Sequence, residues 1–242
     1  MERSVYERMN ALEAEHWWFT GRRKVLAALI GRLINHQANA SILEAGCGSG
    51  GNLAMLQGFG EVDAFEYDDV ALQVASEKSG LNVLFGALPY QIPFADKKYD
   101  LVGLFDVLEH VEADEASLSA LAARLSESGR ILVSVPAFPF LWSKHDERHH
   151  HFRRYTRASL TAVAERAGLK VTYSSYFNTF LFPAAVAARA LKKLLGRETP
   201  DDQMPSSWVN KTLAHVFSFE QHMLGRVSLP FGLSLVAVLR KA

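Results

Sequence analysis

The stretch Ser41-Ile42-Leu43-Glu44-Ala45-Gly46-Cys47-Gly48-Ser49-Gly50-Gly51 decides the fold. Its first half is a short apolar strand, its second half a glycine cluster, and a helix is expected to follow. Glycines at a strand-to-helix turn let the backbone bend sharply and let a ligand approach main-chain N–H groups. Gly46, Gly48 and Gly51 satisfy a dinucleotide fingerprint, and Glu66 follows about 20 residues on, where a ribose-binding acid belongs. A nicotinamide-dependent oxidoreductase is therefore one reading. Glu44 argues against it, because a pyrophosphate loop avoids negative charge at the strand end. A zwitterionic ligand with an ammonium or sulfonium group would welcome that carboxylate.

Outward from this loop, strand and helix signals alternate, as in a sheet built from βαβ units. Strands are expected at Ser41–Ala45, Glu61–Glu66, Asn82–Phe85, Tyr99–Phe105, Arg130–Val135, Lys170–Phe177 and Gly232–Leu239. The fourth and fifth are β-branched and apolar, as buried parallel strands should be. Asp69 is the expected N-cap of a helix ending at Gly80, and Thr156 of one stopping at Gly168. Between them, Leu118, Leu121, Ala122 and Leu125 recur at helical spacing behind Glu112, Asp114 and Glu115. From Asn178 to Arg226 the chain is too long for a hairpin loop. Two helices are expected there, Leu181–Leu195 and Ser207–Leu224, separated by a polar linker, Gly196–Ser206.

Composition bounds the function classes. The 242 residues are 49% hydrophobic and 21% charged, with 26 basic and 26 acidic side chains, which excludes a disordered or coiled-coil protein. The zero formal net charge provides no basic footprint for nucleic acid, and none is expected as a partner. The one cysteine, Cys47, allows no disulfide framework and suggests a reducing compartment. No signal peptide is visible, and the longest apolar runs fall short of the roughly 20 residues that span a bilayer. A cytoplasmic protein is expected, with contact at the inner membrane face as a further option.

With Ile92-Pro93-Phe94-Ala95-Asp96-Lys97-Lys98-Tyr99-Asp100-Leu101-Val102 and Phe105-Asp106-Val107-Leu108-Glu109-His110-Val111 added, the sequence resembles the class I S-adenosylmethionine-dependent methyltransferases. Glu44, Gly46, Gly48 and Gly50 match their first motif, Glu66 their second, and the later segment their fourth-strand block. Order and spacing agree from Glu44 to about Pro136. The resemblance implies an α/β, Rossmann-like three-layer sandwich with a seven-stranded, mostly parallel sheet, an antiparallel last strand and a helical insertion before it. It implies that Glu44 and the loop Gly46, Cys47, Gly48 and Gly50 hold the methionine end of S-adenosylmethionine. Glu66 would take the ribose hydroxyls, Tyr67 would pack on adenine, and Phe105 and Asp106 would border the methionine end. Many members carry an aspartate after the third strand; here Gly86-Ala87-Leu88-Pro89-Tyr90-Gln91 has none, which passes adenine recognition to the backbone at Ala87 or Leu88. Cys47 itself reads as a small buried residue rather than a nucleophile.

Acceptor chemistry is expected at the C-terminal strand ends. The segment Trp142 to Tyr155 is dense in titratable groups and resembles a Trp-Ser-x-His-Asp, His-x-Arg-Arg-Tyr pattern in part of the family, whose members often accompany glycan or lipid biosynthesis. In one reading His145 or His151 is a base oriented by Asp146, while Arg153 and Arg154 bind an anionic substrate group and Tyr155 lines it. In a second, His145, Asp146, His149 and His151 ligate a metal. In a third, the segment is a polar loop pinned by Arg–Asp pairs. No metal is assigned. His110 and Trp18 complete the substrate-side candidates, Trp18 because His16-Trp17-Trp18-Phe19 reads either as a lid or as the docking of a first helix.

The resulting division is a helical lid or cap at 1–40, a cofactor-binding core at 41–177, a helical insertion at 178–226 and a final strand at 227–242. The insertion's basic, apolar helix suits a cap, a homodimer face or a membrane surface. The expected function is methyl transfer to a small-molecule, glycan-precursor or lipid-linked acceptor. A nicotinamide oxidoreductase and a non-catalytic cofactor-binding partner subunit are the alternatives.

Overall fold

The computed structural model describes residues 8, 10–34, 39–194 and 204–242. In chain order the elements are α1 (Trp17–Leu33), β1 (Ala40–Ala45), α2 (Leu53–Gln57), β2 (Gly60–Glu66), α3 (Asp69–Ser79), β3 (Leu84–Phe85) and β4 (Tyr99–Phe105). There follow α4 (Asp114–Ala122), β5 (Leu125–Pro136), α5 (Lys144–Arg148), α6 (Arg157–Arg166), β6 (Leu169–Phe177), α7 (Phe182–Leu194), α8 (Ser207–Ser218) and β7 (Ser234–Lys241). Short 3-10 turns occupy Leu108–His110, Pro139–Leu141 and Phe219–His222.

The seven strands form one sheet in the order β3-β2-β1-β4-β5-β7-β6. β1 to β5 are mutually parallel where they pair, and β7 runs antiparallel to both β5 and β6. The chain moves outward from β1 to β3 and then returns to β4, so strand order reverses between β1 and β4. A crevice opens beyond the strand ends at such a reversal, and the glycine loop and the fourth-strand block meet there.

Alternate residues of the central strands face opposite layers, which is why these strands read as continuous apolar runs. Val102, Leu104, Ile131, Val133 and Ala237 pack with Leu118 and Leu121 of α4 and Leu160 and Ala164 of α6. Ile42, Leu101, Leu132, Val236 and Val238 pack with Val25, Leu26, Leu29 and Ile30 of α1 and Phe217 of α8. The N-terminal helix thus supplies a layer of the core. Its contact with α8 requires Gly21, where a Cβ would stand 2.5 Å from the Phe217 ring.

Several boundaries differ from the sequence expectation. The N-cap of α3 is Asp68, whose carboxylate accepts from the backbone N–H of Val70 and Ala71; Asp69 is the first helical residue. β5 begins at Leu125 rather than Arg130, because Tyr99 pairs with Leu125 across a register shift. Leu224 falls beyond α8, which passes into a 3-10 turn. Leu195 and most of the expected linker lie outside the described residues. Among the described residues no helix is long and apolar enough to cross a membrane.

Candidate active site

The turn after β1 is built by left-handed backbone at Gly46 (φ +72°), Gly48 (φ +56°) and Gly50 (φ +82°). A Cβ on Gly46 would meet Val107 at 2.9 Å, whereas one on Gly48 would have nothing within 4 Å. Gly46 is needed for close packing, and Gly48 for its backbone angle. Gly51 has a third reason: a Cβ there would overlap the Glu13 carboxylate. Glu13 accepts from Ser49 Oγ at 2.9 Å and pairs with Lys78, which ties the N-terminal segment to the loop. Burial pushes the Cys47 thiol far up, consistent with a packing residue and not a thiolate.

Glu66 ends β2 with its carboxylate accepting from Gly48 N (2.8 Å) and Asp68 N (3.1 Å). Burial nevertheless raises its pKa against these hydrogen bonds. Tyr67, next in sequence, is 68% exposed and lies 5.7 Å from the Phe85 ring, so one aromatic face is turned to solvent. Ala87 and Gln91 exchange backbone hydrogen bonds at 2.8 and 2.7 Å. The Ala87 N–H is therefore committed to the loop, which leaves Leu88 of the two positions expected at adenine.

Glu44 is buried at the end of β1. Its Oε1 accepts from Asn52 Nδ2 at 2.8 Å, while Oε2 has no hydrogen-bond partner among the described residues. Burial outweighs the Asn52 bond and raises its pKa to about 8. Asn52 in turn accepts from Arg22 of α1 (3.4 Å), and Arg22 pairs with Asp106 just beyond β4. Arg22 also stacks over Trp18 at 4.7 Å, and its Nε is a buried donor without a partner. A chain of contacts thus runs Glu44–Asn52–Arg22–Asp106 across the crevice. Phe105 turns its ring into the core against Gly103, and Asp106 takes a left-handed backbone (φ +55°).

These residues fit S-adenosylmethionine on two orphaned atoms. An α-amino acid end offers an ammonium and a carboxylate; Glu44 Oε2 is a buried acceptor and Arg22 Nε a buried donor of the matching kinds. Nothing in the sequence pattern assigns Arg22 or Asn52, since their places come from burial and from contacts across the crevice.

Beyond β4, Glu109 is 1% exposed and its Oε2 has no partner among the described residues. Burial, and then the neighbouring Asp106 charge, raise its pKa well above the usual range. The backbone carbonyl of Glu109 accepts from Phe152 N at 2.7 Å, which draws the histidine-rich segment onto this turn. His110 and His151 meet edge to face at 4.6 Å. His151 Nδ1 stands 2.9 Å from Asp146 Oδ1. Asp146 is fully buried; burial opposes its charge, but hydrogen bonds from His151 and Arg154 hold the carboxyl well below the usual range. Burial, with the charge of His151, lowers the His110 pKa to about 3.

The remaining candidates divide. His145 stacks on His149 at 4.0 Å and lies 6.1 Å from the His151 ring. Arg154 is buried and spent on Asp146 (Nε 2.7 Å, Nη2 3.0 Å) and the Ala137 carbonyl (3.2 Å), which corrects its expected role as an anion ligand. Tyr155 is 1% exposed and donates to Asp114 at 2.9 Å, so it too is a packing residue and not a substrate contact. Arg153 pairs with Asp114 at 2.6 Å and bonds the Glu112 carbonyl. Asp146, with its oxygens shared among Arg154, His151 and Ser143, has none left for the metal quartet considered from sequence. Trp18 lies under Arg22, and Trp17 packs on Phe217 and bonds Asn210, so the aromatic run docks α1 as well as bordering the site.

The profile of the methyltransferase-domain family matches residues 18–174. A Mycolicibacterium smegmatis protein named "Probable S-adenosylmethionine-dependent methyltransferase" is 28% identical over 164 residues, covering 66% of this chain and 62% of that protein. A Mycobacterium tuberculosis protein of the same description is 30% identical over 127 residues, covering 52% of this chain and 44% of its own length. The chain thus spans between about two-fifths and three-fifths of the length of the curated relatives it matches. Among solved structures, a TehB-like methyltransferase of Corynebacterium glutamicum superposes with a TM-score of 0.56 at 19% identity, covering 90% of this chain and 88% of that one. The magnesium protoporphyrin IX methyltransferase of Synechocystis, solved with bound S-adenosylhomocysteine, gives 0.59 at 12% identity, covering 99% and 95%. The glycine loop, the acid closing β2, the strand order and the match over 18–174 agree, and the chain belongs to the class I S-adenosylmethionine-dependent methyltransferase family.

Proposed function

We propose that this chain methylates a hydroxyl group of a small-molecule, glycan-precursor or lipid-linked acceptor. The observation that carries the reading is the His110–His151 pair beyond β4, with His151 Nδ1 bonded to a buried Asp146. When bound, S-adenosylmethionine supplies an electrophilic methyl group on a sulfonium; the protein supplies position and a destination for the acceptor proton. Glu44, Arg22 and the backbone of Gly46, Cys47, Gly48 and Gly50 hold the amino-acid end. Glu66 accepts from the ribose, Tyr67 and Leu88 flank the base, and Phe105 and Asp106 border the transferring group. Asp146 fixes the His151 tautomer with Nε2 as the free proton acceptor, and Trp18 and His110 line the acceptor side.

Titration calorimetry with S-adenosylhomocysteine, with NAD as control, tests the cofactor half: micromolar binding that Glu66→Ala weakens supports it, and binding of NAD instead overturns it. A panel of hydroxyl acceptors tests the rest. His151→Ala should lower turnover about 10²–10⁴-fold while leaving S-adenosylhomocysteine affinity intact. Unchanged turnover would refute the assigned proton acceptor. Amphipathic α7, preceded by the exposed Phe180, favours the lipid-linked class, and co-sedimentation with anionic liposomes at low salt separates that class from soluble acceptors.

A further inference from the structure

We infer that Glu109, His110 and His151 form a binding site for a first-row divalent cation at the acceptor edge of the crevice. The inference rests on the proposed function for where the acceptor enters, and it changes His151 Nε2 from proton acceptor to ligand.

Three observations carry it. One ligating atom from each residue lies within 4.8 Å of the other two. Three ligands on one ion at about 2.1 Å stand about 3.4–3.6 Å apart, so from the 4.8 Å limit the trio closes on an ion when each ligand moves in by up to roughly 0.7–0.8 Å. Second, His151 is pinned through one nitrogen in the way metal-bound histidines are: its Nδ1 is held by Asp146, itself clamped by Arg154, which leaves Nε2 as a directed lone pair beside the His110 ring. Third, Glu109 Oε2 is a buried carboxylate oxygen with no partner among the described residues. Arg22 is paired with Asp106 and Arg154 with Asp146, so neither guanidinium is committed to Glu109. A cation beside that oxygen would supply the partner it lacks.

The donor set selects the ion class. Two imidazoles and one carboxylate suit zinc, manganese or cobalt better than magnesium or calcium, which favour all-oxygen shells. Three protein ligands leave a coordination position open, which an acceptor oxygen would fill. A hydroxyl bound there loses its proton at a lower pH than in water.

Untagged full-length protein, stripped with a chelator, is titrated with cobalt(II) and followed by visible absorption, then back-titrated with zinc. One cobalt per chain with a ligand-field band, displaced by zinc, is expected. His110→Ala, His151→Ala and Glu109→Gln should each weaken binding at least tenfold, and Asp146→Asn by about 10–100-fold through the His151 ring. His215→Ala, an exposed histidine on α8, serves as the control and should change nothing. No uptake by the folded wild-type chain, or uptake unaltered in all three ligand variants with native circular dichroism, would overturn the inference. Full turnover by the metal-free enzyme would remove the cation from catalysis and leave methyl transfer standing. Cobalt binding with no hydroxyl acceptor methylated would keep the site and sink the proposed function.

Discussion

Glu44 illustrates how one side chain couples cofactor, pH and stability. Its pKa of about 8 comes first from burial, so below pH 8 the folded chain holds a proton that the unfolded chain, near 4.5, has released. Its contribution to stability therefore falls as pH rises from about 4.5 to 8, by at most about 1.4 kcal/mol per unit. An incoming ammonium prefers the ionised carboxylate, so S-adenosylhomocysteine should bind more tightly as pH rises toward 8, with proton release at pH 7. Calorimetry in buffers of different ionisation enthalpy reads that release, and Glu44→Gln should abolish most of it. Asp146 runs in the opposite direction: its depressed pKa contributes stability above the ordinary carboxylate range, and this is lost as pH falls from that range toward its lowered pKa. Asp146→Ala leaves a buried Arg154 uncompensated and should cost about 3–5 kcal/mol in urea unfolding. Sequence alone places the acids Glu44 and Glu66 beside the glycine loop, because their spacing to the glycines is local, whereas the partners of Arg154 and Tyr155 are fixed only by folding: Tyr155 meets Asp114 41 residues away. Glu109 stood in plain view inside a quoted motif, yet only burial reveals that its oxygen lacks a partner.

The strands were legible as elements, since continuous β-branched and apolar runs are what two covered faces demand. The insertion's seat is less legible beyond its two helices, because it depends on contacts that folding makes, among them a buried carboxylate. Glu220 accepts from the backbone N–H groups of Asn178, Thr179 and Phe180 at 2.7, 2.6 and 3.1 Å, joining the end of β6 to the turn after α8. Glu220→Ala strands three donors and should cost about 2–4 kcal/mol, whereas Glu220→Gln, which keeps an acceptor, should cost less; chemical denaturation compares them. Gly21 plays the matching role on the other side. Gly21→Val would drive α1 from Phe217 and should destabilise by about 1–3 kcal/mol, read as a lowered Tm.

Across the whole molecule, α1 is both a core layer and a wall of the site, because Arg22 and the preceding Glu13 reach the crevice while Leu26 and Ile30 lie under the sheet. Cofactor binding should therefore slow amide hydrogen exchange in α1 together with the glycine loop, and exchange mass spectrometry with and without S-adenosylhomocysteine measures it. Protection confined to the loop would show that α1 is only scaffolding.

The place of β7 has a consequence for how the chain is made. β6 touches the sheet only through β7, the last of the seven strands to be synthesised, and β5 reaches β6 only across it. Until β7 is in place, β5 and β6 stand as two unjoined edges with apolar faces, an invitation to mispairing. Completion of the sheet on this side therefore waits on β7, whatever the order in which the other strands have paired.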